Sequence, residues 1–322
     1  MRQFAKPTIV VSKCLEFDAC RYNGEMIPDV TIRNLQPFVT FIPVCPEVEI
    51  GLGTPRETIR IVEENGENRL VQPSTREDVT EKMEQFSNDF LQTIPDVEGF
   101  ILKNRSPSCG TRDVKIYSGF EKAPAKGKGS GLFGGAVIKK FSHLPIEEEG
   151  RLSNFIIREH FFTRLFTIAY YKMIKHNKNM KDLVSFQSDN KYLFMAYNQV
   201  KQKELGRIIA NHKNEKIEVV FENYEKTLYE LFMRTPRYTS NVNVCEHIFG
   251  YFKTKLKKQE KDHFIELLQK YAEKKIPLSS LLTILKSWAI RFDEKYLLRQ
   301  TYFEPYPEAL VEISDSGKGR DY

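Results

Sequence analysis

Long apolar runs are missing from this 322-residue chain. None approaches the roughly 20 residues needed to cross a bilayer, so no membrane span and no membrane partner are expected. The N-terminal stretch MRQFAKPTIVVSKC lacks an extended apolar segment before a small-residue cleavage site, which points to a cytoplasmic protein. Cysteine is scarce: five in all, too few and too scattered for a disulfide framework in a reducing compartment. None of the five forms the close pairs that a zinc ribbon or a ferredoxin run needs. No repeat of fixed period stands out. A Walker or Rossmann fingerprint is absent as well. The nearest thing, Gly127-x-Gly129-x-Gly131 within Ala123–Gly135, reads as a flexible active-site loop first and a phosphate cradle second.

What is present is the composition of an ordinary soluble protein, 41% hydrophobic and 29% charged, in a chain long enough for two domains. The net charge of +6 is uneven: residues 1–150 carry 19 Lys+Arg against 22 Asp+Glu, and residues 151–322 carry 30 against 21. The basic half is either a solvated lysine-rich helical surface or a partner-binding one. The hydrophobic pattern changes period at the same place. Pro7–Ser12, Phe38–Val44 and Gly99–Arg105 read as strands, the second of them buried, and 58–73 as a hairpin about Asn65-Gly66. A helix capped by Ser74 or Thr75 is expected to run to about Ile94. A short strand over Asp113–Tyr117 and a helix over Leu132–Phe141 follow, with His143–Gly150 as linker. Beyond Leu152, helical spacing fills 153–176, 181–197, 199–213, 216–234, 242–257, 259–275 and 278–300. The expected architecture is an α/β N-terminal domain with a mostly parallel sheet (1–147), then an all-α domain (151–315).

Three cysteines stand at strand ends. Cys14 and Cys45 follow the first two predicted strands, and Cys109 lies four residues past Arg105. Carboxyl ends of parallel strands share one edge and bound a crevice, so these distant thiols can converge. Three soft thiolates without a fourth suit an iron–sulfur cluster with one open iron, or a zinc with an open position. Free cysteine is also among the most buried residue types, and from spacing alone structural burial stands slightly ahead of metal ligation. Cys20 is a rival fourth ligand, whereas Cys245, among Val242, Val244 and Ile248, reads as core. Glu47, two residues after Cys45, is a surface carboxylate or a catalytic one.

The motifs VVSKCLEFDACRYNG (11–24), PVCPEVEIGLGTPR (43–56) and LKNRSPSCG (102–110) resemble, in this order, those of the TudS-type thiouracil desulfurase family. Residues 190–211 and 288–307 resemble the helical domain of its longer members, which are similar to tRNA 4-thiouridine desulfidases. The resemblance implies a [4Fe–4S] cluster held by Cys14, Cys45 and Cys109, with one iron not ligated by protein. It implies Glu47 as general base, and either Ser106 or Ser108 as the catalytic serine. The helical domain's usual His-Lys and Ala-His-Ser-Pro read here Asn190-Lys191 and Ala196-Tyr197-Asn198-Gln199, which removes the histidines from any role.

The activity so implied is a hydrolytic, non-redox desulfidase that removes sulfur from 4-thiouridine in tRNA, leaving uridine and sulfide. Phosphate contacts are expected from Arg56, Arg105 and Arg112 near the thiols. Lys201, Lys203, Arg207, Lys253, Lys255, Lys257 and Lys258 would supply more from the basic half. One alternative is a desulfurase of free thiouracil or thionucleosides, for which a basic second domain is unnecessary. Another is a non-catalytic, metal-sensing nucleic-acid-binding protein, for which Glu47 is dispensable.

Overall fold

A computed structural model of the chain describes residues 2–120 and 124–312. Ala123 of the expected loop and residues 313–315 of the expected second domain lie outside the described residues. There are two compact units, one running to Ala169 and resuming from Ala309, the other Tyr170–Glu308. An α/β region is followed by a run of helices, as the change of period predicts.

The first unit is built on the parallel sheet β2-β1-β6-β9, with β1 Thr8–Ser12, β2 Thr40–Val44, β6 Gly99–Leu102 and β9 Ile146–Glu148. β1 is central, and its Ile9, Val10 and Val11 are fully buried, as an apolar run covered on both faces must be. β2 is an edge strand. It was expected to be buried, but Thr40 and Pro43 are exposed; Pro43 has no N–H to give and is tolerated there because no strand among the described residues pairs on that side. The second edge, β9, lies where a linker was expected. Its run Glu147–Glu149 is buried, because each carboxylate has donors to receive.

A second, mixed sheet has the order β5-β4-β3-β7-β8: β3 Arg60–Glu64, β4 Glu67–Gln72, β5 Glu77–Asp78, β7 Val114–Tyr117 and β8 Ala125–Gly129. The β3–β4 turn places Asn65 and Gly66 at φ 53° and 86°, the double positive φ that favours Asn-Gly in two-residue hairpins. Pairing of Glu77 and Asp78 with Gln72 and Val71 delays the helix expected from Ser74 or Thr75. That helix, α3, is Thr80–Thr93, and Asp78 accepts from the Thr80 N–H at 2.8 Å. Part of the lysine- and glycine-rich stretch pairs as β8 instead of forming a loop. Three shorter helices complete this unit: α1 Val30–Leu35, α2 Pro46–Glu49 and α4 Leu132–Phe141.

Helix α5 (Phe155–Asn177) leads into α6 Met180–Asp189, α7 Lys191–Tyr197, α8 Gln199–Ala210, α9 Ile217–Leu231, α10 Tyr238–Gly250, α11 Lys258–Ala272, α12 Leu278–Arg291 and α13 Lys295–Leu298. The helix expected over 181–197 is two. Asn190 breaks it, buried, its Nδ2 donating to Phe186 O (2.8 Å) and its Oδ1 accepting from Thr301 Oγ1 (2.7 Å). The core of Tyr170–Glu308 is aromatic: Tyr171 stacks on Tyr224 at 5.5 Å, with Phe186, Phe194, Phe221 and Phe232 around them. No helix among the described residues is long and apolar enough to cross a membrane.

Candidate functional site

The register of the parallel sheet sets the site. Ser12 pairs with Val44 and Val11 with Ile101, so the carboxyl ends of β1, β2 and β6 lie together, and the chain leaves each toward a cysteine. Cys14 sits in a turn pinned by Lys13 N–H to Val44 O (2.8 Å) and Ile27 N–H to Cys14 O (2.8 Å). Cys45 follows β2 directly and precedes Pro46, the first residue of α2. Cys109 ends a loop in which Ser106 Oγ accepts from the N–H groups of Ser108 (3.3 Å) and Cys109 (3.1 Å). All three, together with Cys20, line one cavity of about 360 Å³.

Glycine explains how the Cys109 loop is held. A Cβ on Gly131 would lie 2.4 Å from Ser108 O, and one on Gly134 would lie 2.4 Å from Cys109 O. The start of α4 therefore packs directly on the loop, with the Gly131 N–H bonded to Gly110 O (2.7 Å) and the Gly134 N–H to Ser108 O (3.0 Å). These glycines are packing devices, and neither expected role, flexible loop or phosphate cradle, describes them. From the other side Glu148 Oε1 accepts from Thr111 N (2.7 Å), Thr111 Oγ1 (3.0 Å) and Arg112 N (3.2 Å).

Glu47, on α2, reaches across the cavity. Its Oε1 accepts from Ser108 Oγ at 2.6 Å, and its Oε2 from Arg56 Nε (2.8 Å) and Nη2 (2.6 Å). Ser108 has one proton and gives it to that carboxylate, so in the Ser106–Ser108 contact of 2.9 Å Ser106 is the donor. A directional chain results, Ser106 to Ser108 to Glu47. Ser108 Oγ is also 3.7 Å from Cys109 Sγ. Arg56, expected at the substrate, points inward: its side chain is 4% exposed and Nη1 donates to the carbonyls of Cys20 and Gly53, both at 2.9 Å. Arg105 is exposed at the cavity wall with φ 56° and has no hydrogen bond to another described residue. Arg112 is exposed, its backbone N–H held by Glu148.

Burial pushes the Cys14 thiol up to about 12, with the Cys45 charge adding to it and Lys103 opposing. Cys20 is likewise pushed up to about 12, by burial and then Cys45. Cys109 is raised well above an ordinary thiol by burial, against which Ser12 donates, and by Cys14 and Cys45. Burial is the larger cause for all three, with charge on the neighbouring cysteines adding to it, and a cationic group held among them would offset both. Among the described residues no three His, Cys, Asp or Glu side chains are close enough to hold a single metal ion. A group of several metal atoms, bound by one thiolate per atom around a shared cavity, fits this donor set.

Ser12 and Lys103 were not foreseen. Ser12 Oγ accepts from the Lys103 N–H at 2.9 Å, and Lys103 Nζ pairs with Glu149. The only signal was a polar residue closing an otherwise apolar strand. In the basic half Lys201 is paired with Glu204 and Glu230, and Lys255 with Glu294. Lys203, Arg207, Lys257 and Lys258 make no ion pair among the described residues, and Lys253 lies over the Phe249 ring. Asn198, at a position where histidine was usual, caps α8 through the N–H groups of Val200 and Lys201.

Comparison with known proteins matches residues 9–149 to the 2-thiouracil desulfurase family and residues 191–307 to a protein family of unknown function, DUF1722. The uncharacterized protein YbbK of Bacillus subtilis (strain 168) is 34% identical over 147 residues, 44% of this chain and 95% of that protein. The uncharacterized protein YbgA of Escherichia coli (strain K12) is 23% identical over 156 residues, 48% of this chain and 92% of that protein. A solved structure of the [4Fe-4S]-dependent thiouracil desulfidase TudS is 26% identical with a TM-score of 0.35, covering 46% of this chain and 93% of that one.

Proposed function

Since the chain belongs, through residues 9–149, to the 2-thiouracil desulfurase family, we propose that it replaces the sulfur of a thiolated pyrimidine by oxygen. Thiocarbonyl and water give carbonyl and hydrogen sulfide, with no net electron transfer. The observation that carries this reading is the single cavity in which Cys14, Cys45 and Cys109 face the hydrogen-bonded pair Glu47–Ser108. The three cysteines would hold a [4Fe–4S] cluster. When bound, it supplies a soft Lewis acid suited to a thiocarbonyl sulfur.

The chain's own residues then manage protons and position. A water beside the serines gives a proton to Ser106 or Ser108, whose own proton passes along the chain to Glu47 Oε1. The hydroxide adds at the thiocarbonyl carbon, and the proton held by Glu47 is returned to the departing sulfur. Of the two serines, Ser108 is the catalytic one, since it bridges Glu47 and Cys109; Ser106 braces the loop and extends the relay. Arg56 is a positioning residue that fixes Oε2 so that Oε1 stays aimed at Ser108. Val44, Ile59 and Pro107 in the wall reduce access of bulk water.

Free thiouracil is the first substrate to test. 4-Thiouridine in tRNA is the second reading, favoured by the excess of cations over 151–322 and by Lys203, Arg207 and Lys258, which make no ion pair among the described residues. Anaerobically purified, iron-loaded protein is incubated with 2-thiouracil, 4-thiouracil and thiolated tRNA, following loss of the thiocarbonyl absorbance and release of sulfide. Turnover of a thiolated pyrimidine is expected. No sulfide from any of them overturns the reading.

A further inference from the structure

Four thiols line the cavity, and the cluster reading uses three of them, which leaves Cys20 over. Cys20 is fixed through its backbone. Its carbonyl oxygen accepts from Arg56 Nη1 at 2.9 Å, and two residues on, Tyr22 O accepts from the Arg56 N–H at 2.8 Å. Cys45 is fixed by β2 before it and by Pro46 of α2 after it. The two residues meet at their sulfurs. Cys45 Sγ donates to Cys20 O at 3.8 Å, so in the hydrogen bond between the two side chains Cys20 is the donor. Cys14 and Cys109 feel Cys45 through charge alone. With both backbones held, a bond between the sulfurs of Cys20 and Cys45 calls for side-chain rotation, not a rearranged loop. The two are 4% and 8% exposed, so a reagent must reach them through the cavity, whose 360 Å³ or so admit a molecule as small as hydrogen peroxide. A sulfur oxidised beside a second thiol condenses with it and is recoverable, whereas one without such a neighbour goes on to acids that are not.

We propose that Cys20 and Cys45 are a disulfide site: in the cluster-free chain a peroxide joins them reversibly. Resting on the desulfurase reading above, the bridge withdraws one cluster ligand and keeps it from irreversible oxidation until a thiol reductant returns it. One of the two thiolates takes an oxygen from the peroxide, whose O–O bond breaks, giving a sulfenic acid and hydroxide. The neighbouring thiol displaces that oxygen as water while the S–S bond forms. Two thiols and one peroxide thus give one disulfide and two waters. Cys20 is then the partner that stops the oxidation of Cys45 at a recoverable stage, a task that leaves it no place among the cluster ligands.

The test starts from the full chain, freed of iron and reduced. It receives a stoichiometric amount of hydrogen peroxide, and the remaining thiols are alkylated. Cleavage before Asp18 separates Cys14 from Cys20, so the masses of the peptides assign any bridge. Two of the five thiols are expected to be lost, with Cys20 linked to Cys45, and dithiothreitol should restore both. The bridge should persist in Cys14→Ser and in Cys109→Ser and disappear in Cys20→Ser. A bridge from Cys45 to Cys14 or Cys109 in the parent, or a Cys45 left unbridged, overturns the proposal. Peroxide, dithiothreitol and anaerobic reconstitution in turn should return the parent to its full iron content and leave Cys20→Ser with a severe loss. Equal recovery in the two overturns the protective role. Failure of the desulfurase reading appears separately, as no iron uptake by the parent before any peroxide, with the Cys20–Cys45 peptides still found.

Discussion

Cys109 and Cys245 are both buried, yet they live in opposite surroundings. Cys109 has Ser12, Ser108, Cys14 and Cys45 for company, beside a cavity. Cys245 is packed with Val244 and Ile248, its sulfur 3.9 Å from the Tyr302 hydroxyl. Burial alone says nothing of function; what separates the two regions is how polar groups are gathered. In the helical unit they close small networks inside an aromatic core. Around the cysteines, carboxylate, hydroxyls and thiols converge on space left open, an arrangement that lowers stability unless something binds there.

The contrast is sharpest at Glu47. Glu47→Gln ends the relay and leaves the buried Arg56 without its counter-charge, so the melting temperature should drop, but kcat on a thiolated pyrimidine per folded molecule should fall about 10²–10⁴-fold. A lower melting temperature with kcat per folded molecule retained would break the distinction. Phe221→Ala should cost stability alone. It removes a ring packed on Tyr171 and should cost about 3–5 kcal/mol in denaturant unfolding, with activity per folded molecule on the free base retained. Arg56→Lys replaces a two-point clamp on Glu47 by a single donor; kcat should drop about tenfold with KM nearly constant, and Arg56→Ala should drop it further.

The last effects are absent near neutral pH and lie at the two ends of the pH scale. Burial, with Arg164 nearby, holds His160 at about 3 instead of 6.5. A depressed folded value means its contribution is present above 6.5 and lost as pH falls toward 3, at no more than about 1.4 kcal/mol per pH unit. Cys245 is raised by burial from 9.0 to about 12, so its contribution is present below 9 and lost as pH rises toward 12. Denaturation midpoints across pH should show His160→Gln flattening the acid side alone and Cys245→Ala the alkaline side alone.

Much of this is legible in the amino-acid sequence. Apolar, β-branched runs announced β1 and β6, Asn65-Gly66 announced its hairpin, and period 3.6 announced the helices, because local chemistry dictates each. Less visible was what depends on partners far along the chain. Glu147–Glu149 reads as a solvated linker until Thr111, Asn104 and Arg151 supply donors. Arg56 reads as a phosphate contact until Glu47 and two carbonyls turn it inward. Gly131 reads as part of a flexible loop until a second backbone is laid within reach of its missing Cβ atom. The order Ser106, Ser108, Glu47 follows only from distances.

Iron and acid-labile sulfide per chain, counted after anaerobic reconstitution of the Cys14→Ser, Cys45→Ser, Cys109→Ser, Cys20→Ser and Cys245→Ser variants, address the centre of the account most directly. About four irons are expected in the parent, Cys20→Ser and Cys245→Ser, and a severe loss in each of the other three. Retention of the full complement by Cys14→Ser, Cys45→Ser or Cys109→Ser, or its loss from Cys20→Ser, would contradict it.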